Sequence, residues 1–347
     1  MPFETDAFDA LPSHLGRRDF LKLVGLGLLG AALPAFGLRE AAAPRGFRGR
    51  VAFARTALYA HPSFAAKRLA GLWRDEVFPI DAVVVGDDKP AYNRLWYHVP
   101  GRGYVHSGGV QPVQVRLNPP QAVPDGGALA EVTVPYTDGY SEPARIRAPR
   151  YRLYYATTHW VVRLVQGQNG ETWYQIEDDK WKNFFYYAPA RHLRLVPPAE
   201  IAPLSPEVPL SEKLLRVDLS RQVVTAYESG RAVFAAKAAT GMGYYSTPVG
   251  HFSTYHKRPY RHMAAGNRAA PEFDLPGVPW VCYITESGIS FHGTYWHNDF
   301  GKPRSHGCIN LSPTAARWVY RWTTPVVPFG QQDAYKKRYG TPVEVHR

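Results

Sequence analysis

Residues 49–199 carry one pattern twice, and a chain that repeats itself at this spacing builds two small modules in tandem. The stretch Val51–Pro62 is paralleled by Val132–Pro143, 81 residues on. Leu95-Trp96-Tyr97-His98-Val99 is paralleled by Thr172-Trp173-Tyr174-Gln175-Ile176, 77 residues on. The two offsets differ only by loop length. Each copy closes with an alternating segment, Gly103-Tyr104-Val105-His106 or Tyr186-Tyr187-Ala188, and a proline-bounded tail. Aromatic and β-branched residues between turn residues read as short strands. The 22 Tyr, 9 Trp and 31 Pro of the chain agree with that reading.

Beyond the repeats, Pro197–Pro209 is rich in proline and small polar residues, and residues 200–211 read as a linker. Period-two alternation resumes at Leu215-Arg216-Val217-Asp218-Leu219 and Val223–Tyr227, with Glu228–Arg231 as a hairpin turn. Residues 256–279 read as a loop, broken by Gly266, Pro271, Pro276, Gly277 and Pro279. Ser312–Trp322 opens on a cap residue and has apolar residues at helical spacing, which predicts a short helix. Gly340–Val345 reads as a closing strand.

The chemistry concentrates in residues 291–311. Cys308, one of only two cysteines, sits in Ser305-His306-Gly307-Cys308-Ile309-Asn310, and His292 lies upstream in His292-Gly293-Thr294. A thiol needs a neighbouring base to react at neutral pH, and glycines let backbone pass close to a reacting carbonyl. These are the parts of a cysteine acyltransferase. Metal binding is the rival reading for His292, His297, His306 and Cys308. They lack a Cys-x-x-Cys or His-Glu-x-x-His spacing, so no metal is expected. No phosphate-cradling glycine motif occurs, and no cofactor is expected.

The two motifs resemble the active-site signature of the L,D-transpeptidases, the YkuD-type catalytic domain. Thr240–Phe252, with Thr247-Pro248, and Val217–Gln222 resemble two further blocks of that domain. The resemblance spans residues 212–346. It implies a β-sandwich with one short helix, after two modules (49–115 and 130–199) that resemble SH3-like barrels, so the whole chain is mostly β. It implies acyl transfer on peptidoglycan stem peptides. Cys308 would be the nucleophile, His292 the base, and the Gly293 carbonyl the group orienting it. The Gly307 and Cys308 N–H groups, with His306, would hold the oxyanion. Ser305, Thr294 and Asn310 would contact substrate, Asn310 alternatively bracing the loop. His297 could meet substrate or simply lie on the loop surface. Residues 255–279, with His256, Lys257, Arg258, Arg261, His262 and Arg268, resemble a lid whose basic charge would suit carboxylates. Alternative readings are an L,D-carboxypeptidase and an inactive wall-binding protein.

A formal charge of +12, from 41 Lys plus Arg against 29 Asp plus Glu, suits an anionic partner such as a wall polymer. Expected partners are stem peptides and glycan rather than nucleic acid. Gly16-Arg17-Arg18-Asp19-Phe20-Leu21-Lys22 before the apolar run Leu23–Phe36 resembles a twin-arginine export signal, so residues 1–45 read as signal and linker. Contact with a membrane is expected only through that signal, and the protein is expected outside the cytoplasm, at the envelope. Cys282, in an apolar strand, reads as a core residue rather than a disulfide partner of Cys308.

Overall fold

Short alternating segments separated by glycine and proline dictate antiparallel sheets, and sheets dominate the molecule. The computed structural model describes residues 40–87, 89–266, 271–337 and 339–347. The twin-arginine segment lies outside these residues, as does Arg268. No helix among the described residues is long and apolar enough to cross a membrane.

The duplication read from the sequence is visible element by element. Arg55–Tyr59 and Tyr136–Gly139 are equivalent strands, as are Leu95–Val99 and Thr172–Glu177, and Gly103–His106 and Phe185–Pro189. A 3-10 turn follows in both copies, at Ser107–Gly109 and Ala190–His192. One tight contact is made twice. A Cβ on Gly86 would fall 2.2 Å from the Pro62 carbonyl and 2.4 Å from Trp96 Nε1; on Gly167 it would fall 2.3 Å from Pro143 and 2.4 Å from Trp173. Only a residue without a side chain fits either place. The closed barrels expected of these modules are not found among the described residues. The first repeat divides its strands between a six-stranded and a three-stranded sheet, the second between a five-stranded and a two-stranded one. The second copy's hairpin of Tyr136–Gly139 and Tyr151–Tyr154 bends away from its neighbouring sheet and meets it through an isolated bridge at Tyr140–Tyr187.

The C-terminal unit is a sandwich of two five-stranded sheets. Its strands are β1 (Lys213–Asp218), β2 (Val223–Glu228), β3 (Arg231–Lys237), β4 (Gly250–Ser253), β5 (His256–Gly266), β6 (Pro271–Tyr283), β7 (Ser290–Gly293), β8 (Ile309–Leu311), β9 (Ala334–Tyr335) and β10 (Pro342–His346), with helix α1 (Pro313–Trp322) between β8 and β9. One sheet runs β3-β2-β1-β10-β4, the other β8-β7-β6-β5-β9. Alternation on β1 sends Leu215 and Val217 inward at 0% exposure. Helix α1 begins where its cap predicted: the Ser312 hydroxyl accepts from the Ala315 N–H at 3.2 Å, with Pro313 in the first turn. Cys282 is buried and free, as the apolar run around it required.

Two readings of this region are corrected. Residues 256–279, expected as a loop, are most of the long antiparallel hairpin β5–β6. Its prolines and glycines do not end the strands because the pairing is irregular, with register shifts at Arg261/Met263 and Ala265/Gly266 and left-handed backbone at Gly277 and Trp280. Bulged strands tolerate residues that a regular ladder rejects. The linker is docked rather than free. Ile201 and Leu204 pack on the sandwich core, the Leu204 N–H donates to the Arg321 carbonyl at 3.0 Å, and Glu200 pairs with Arg194 and Arg317.

The three units interlock. Leu129, Trp160 and Val196 of the second repeat belong to the same apolar cluster as Leu215, Phe291 and Ile309. Arg50 of the first repeat is 1% exposed and binds Asp75 and Gln111 of its own module. Its guanidinium also reaches the Tyr295 carbonyl at 2.6 Å and lies over the ring of Tyr154 in the second repeat.

Candidate active site

Strand alternation decides which side chains of β7 and β8 can meet a ligand. These strands run parallel, with Phe291 opposite Ile309 and His292 opposite Asn310. Successive side chains point to opposite faces. Phe291, Ile309 and Leu311 enter the core at 0% exposure. Ser290, His292, Cys308 (just before β8) and Asn310 share the other face.

Cys308 Sγ lies 3.8 Å from Ser290 Oγ and 3.7 Å from the Gly288 carbonyl. Packing around the thiol pushes its pKa up, and hydrogen bonds from Ser290 pull only partly against that. His292 is buried, with Nδ1 3.1 Å from the Gly293 carbonyl. A ring nitrogen facing a carbonyl carries the proton, so Nδ1 donates and Nε2 keeps its lone pair. Burial holds this imidazole down at about 4, against the smaller opposing pull of the Gly293 carbonyl. At neutral pH the pair is therefore a neutral thiol and a neutral imidazole with an open acceptor nitrogen.

The turn before Cys308 is fixed from within and from the Thr240 block. The Ser305 hydroxyl donates to the Cys308 carbonyl at 2.6 Å and accepts from the Gly307 N–H at 3.1 Å. Gly307 has φ +109°, a backbone that side chains disfavour. Thr247 Oγ1 accepts from the Gly241 N–H at 2.9 Å and donates to the Gly307 carbonyl at 2.8 Å. The Arg304 and Ser305 N–H groups both donate to the Thr240 carbonyl, and the Ala239 and Asn310 backbones exchange two bonds. Thus the upstream motif brackets the Cys308 turn.

The expected site residues are not all in one place. His292, Ser305, His306, Cys308 and Asn310 line a cleft of about 880 Å³. His306 is at its surface, its ring 4.9 Å from Tyr245 and 5.9 Å from Phe273 of the hairpin. Ser305 has its hydroxyl committed within the loop. Thr294 faces elsewhere: it lines a separate cavity of about 250 Å³ between the two repeats and the sandwich. Gly293 lies at the crossing of β6 and α1, where a Cβ would be 2.7 Å from Pro279 Cγ and 3.1 Å from Pro313 Cα. His297 is not a surface loop residue but 4% exposed, its Nδ1 accepting from the Asp299 N–H and its Nε2 3.2 Å from the Asn310 amide. With Nδ1 accepting, the proton sits on Nε2, and Asn310 meets it best through the oxygen, which otherwise lacks a partner. Burial, then Arg304, holds His297 down at about 3. Among the described residues no three metal-ligating side chains converge.

Among the described residues, the basic side chains of the hairpin are paired away from the cleft. Arg258 and Arg261 pair with Asp179 of the second repeat, and His262 sits between Asp178 and Asp274. Lys257 is buried against the Tyr320 and Thr323 carbonyls, and His256 pairs with Asp333. Ser290 and the pairing of His297 with Asn310 escaped the sequence reading. Ser290 could have been found from His292 by strand alternation; the pairing of His297 with Asn310 depends on the intervening loop and left no signal.

Residues 212–345 match the family model of the L,D-transpeptidase catalytic domain, YkuD. The C-terminal unit is an L,D-transpeptidase catalytic domain. The curated L,D-transpeptidase 2 of Mycobacterium tuberculosis is 26% identical over 121 residues, 31% of this chain and 28% of that protein. The chain therefore matches less than a third of the length of this relative. Among solved structures, an Enterococcus faecium L,D-transpeptidase aligns at 24% identity and TM-score 0.31 over 39% of this chain and 50% of that one. L,D-transpeptidase 3 of Mycobacterium tuberculosis aligns at 19% identity and TM-score 0.32 over 55% and 79%.

Proposed function

We propose that Cys308 and His292 carry out acyl transfer on peptidoglycan stem peptides. The supporting observation is their placement on one face of β7–β8, open to a common cleft, with His292 Nδ1 committed to Gly293 and Nε2 left as acceptor. At rest the thiol donates to the Gly288 carbonyl. In the reaction it turns to His292 Nε2, which takes the proton as Sγ attacks the carbonyl of the third stem residue. The imidazolium returns the proton to the departing amine of the terminal D-alanine, leaving a thioester. An amine of a second stem then gives its proton to His292 and attacks the thioester, and the thiol is regenerated as a cross-link forms. The Gly307 N–H is held by Ser305, so the oxyanion falls to the Cys308 N–H, with His306 at the cleft mouth. The N-terminal twin arginine adds export to this reading, and the net charge of +12 suits an anionic wall polymer.

The test is mass spectrometry of disaccharide-tetrapeptide incubated with the full chain, beside Cys308→Ala. Dimers linked between third residues, made by the unsubstituted protein alone, support the proposal. Tripeptide alone converts it to carboxypeptidase. No product from any stem peptide, with the thiol free, leaves a wall-binding protein.

A further inference from the structure

Among the described residues, the repeats rather than the hairpin bring positive charge to the cleft. The wall facing the Cys308 strand pair is built by both N-terminal modules, through Arg50 and Arg74 of the first and Arg150 and Arg152 of the second. These arginines divide into two kinds. Arg50 and Arg152 are structural: Asp75 bridges them, with Oδ1 2.8 Å from Arg50 and Oδ2 2.9 Å from Arg152, and Asp138 takes the other side of Arg152. Arg304, across the cleft, is neutralised by Asp299. Arg74 and Arg150 are exposed, and among the described residues neither is in an ion pair.

Both are nonetheless anchored. Arg74 precedes Asp75, which holds a left-handed φ of 68° while bridging the modules. Such strain persists where the surroundings fix it, commonly beside functional sites. Arg150 stands two residues before Arg152, its N–H on the Gly139 carbonyl at 2.8 Å and its guanidinium 5.9 Å from the Phe184 ring. The bridge that ties the repeats together thus presents two uncompensated guanidinium groups at the rim of the reaction cleft. A guanidinium binds a carboxylate through two parallel hydrogen bonds.

We propose that the repeats form the second half of the substrate site, in which Arg74 and Arg150 hold free carboxylates of the peptides processed at Cys308. The inference rests on the acyl-transfer reading for the identity of those peptides. On it, the repeats recognise substrate within the reaction cleft, and the donor and the acceptor stem are the two possible sources of the carboxylate.

Binding is measured by calorimetry on the full chain carrying Cys308→Ala, which cannot turn over. The probes are a synthetic stem tetrapeptide with free carboxylates and the same peptide amidated. The proposal expects the free-carboxylate form to bind about tenfold tighter or more. The pair Arg74→Gln with Arg150→Gln removes that preference, and Arg74→Lys with Arg150→Lys keeps part of it, melting temperature reporting that each variant is folded. Equal binding of the two peptides, or a preference that survives the Gln substitutions, overturns it. In the active protein, a rise in KM for the donor or for the acceptor identifies which carboxylate is held; a rise in neither overturns it. A carboxylate preference lost with the arginines, in a protein that turns over no stem peptide, leaves the subsite standing and removes the transferase reading.

Discussion

Cys308 and His292 are both uncharged at rest, which sets how the thiol should behave. A preformed thiolate–imidazolium pair would react at a rate independent of pH across neutrality. Here burial raises the thiol and holds the imidazole at about 4, so alkylation by iodoacetamide is expected to climb steadily from pH 6 to beyond pH 9. A plateau between pH 5 and 8 would contradict the neutral pair. A side chain at Gly293 would be a packing fault: with Pro279 and Pro313 against it, Gly293→Ala should cost about 1–3 kcal/mol in urea denaturation. At this scale the sequence was most informative where a motif names residue types in order, as at His292, Cys308 and the Thr240 block. It was silent on Arg74 and Arg150, which reach the cleft only because three separately encoded units pack together. It misplaced Thr294, whose neighbour Gly293 ends the strand, so that the next side chain turns into the cavity behind.

The hairpin β5–β6 shows why local composition misleads at the level of elements. Its prolines and glycines argue for a loop, yet the segment is held as strand by the second repeat. Thr158 Oγ1 donates to the Pro259 carbonyl at 2.7 Å, Asp179 takes Arg258 and Arg261, and His262 Nδ1 lies 2.9 Å from Asp178. Burial works against the charged form of His262, but Asp178 and then Asp274 outweigh it and raise its pKa. Burial likewise opposes the Asp178 carboxylate, and His262 overrides it to lower that pKa. The histidine's contribution is full below the usual imidazole value near 6.5 and is lost as pH rises through its raised folded value. The aspartate's is full above 3.8 and lost as pH falls through its lowered folded value. Melting temperatures of the unsubstituted protein and His262→Gln should therefore differ most between about pH 4 and 6.5 and converge toward alkaline pH. A gap that does not change with pH would mean that His262 only fills space.

Across the whole molecule, the sequence reads as two repeats and a C-terminal unit joined by a linker, whereas the structure packs all of them together. The docked linker and the shared core make the second repeat and the sandwich one cooperative body. Trp160 stacks on Tyr260 at 6.2 Å within that core. Trp160→Ala should cost about 3–5 kcal/mol and lower the melting of both units together, which calorimetry reads as one shifted transition. Two separated transitions would show independent modules. The arrangement also gives the repeats a place in the chemistry, since the cleft has walls from all three units. The most direct test of that chemistry is intact-protein mass spectrometry after brief exposure to a stem tetrapeptide, followed by peptide mapping. An adduct equal to the stem minus its D-alanine is expected on Cys308 and is expected to be missing from Cys308→Ala. Cross-linked or trimmed product from the Cys308→Ala protein would contradict it.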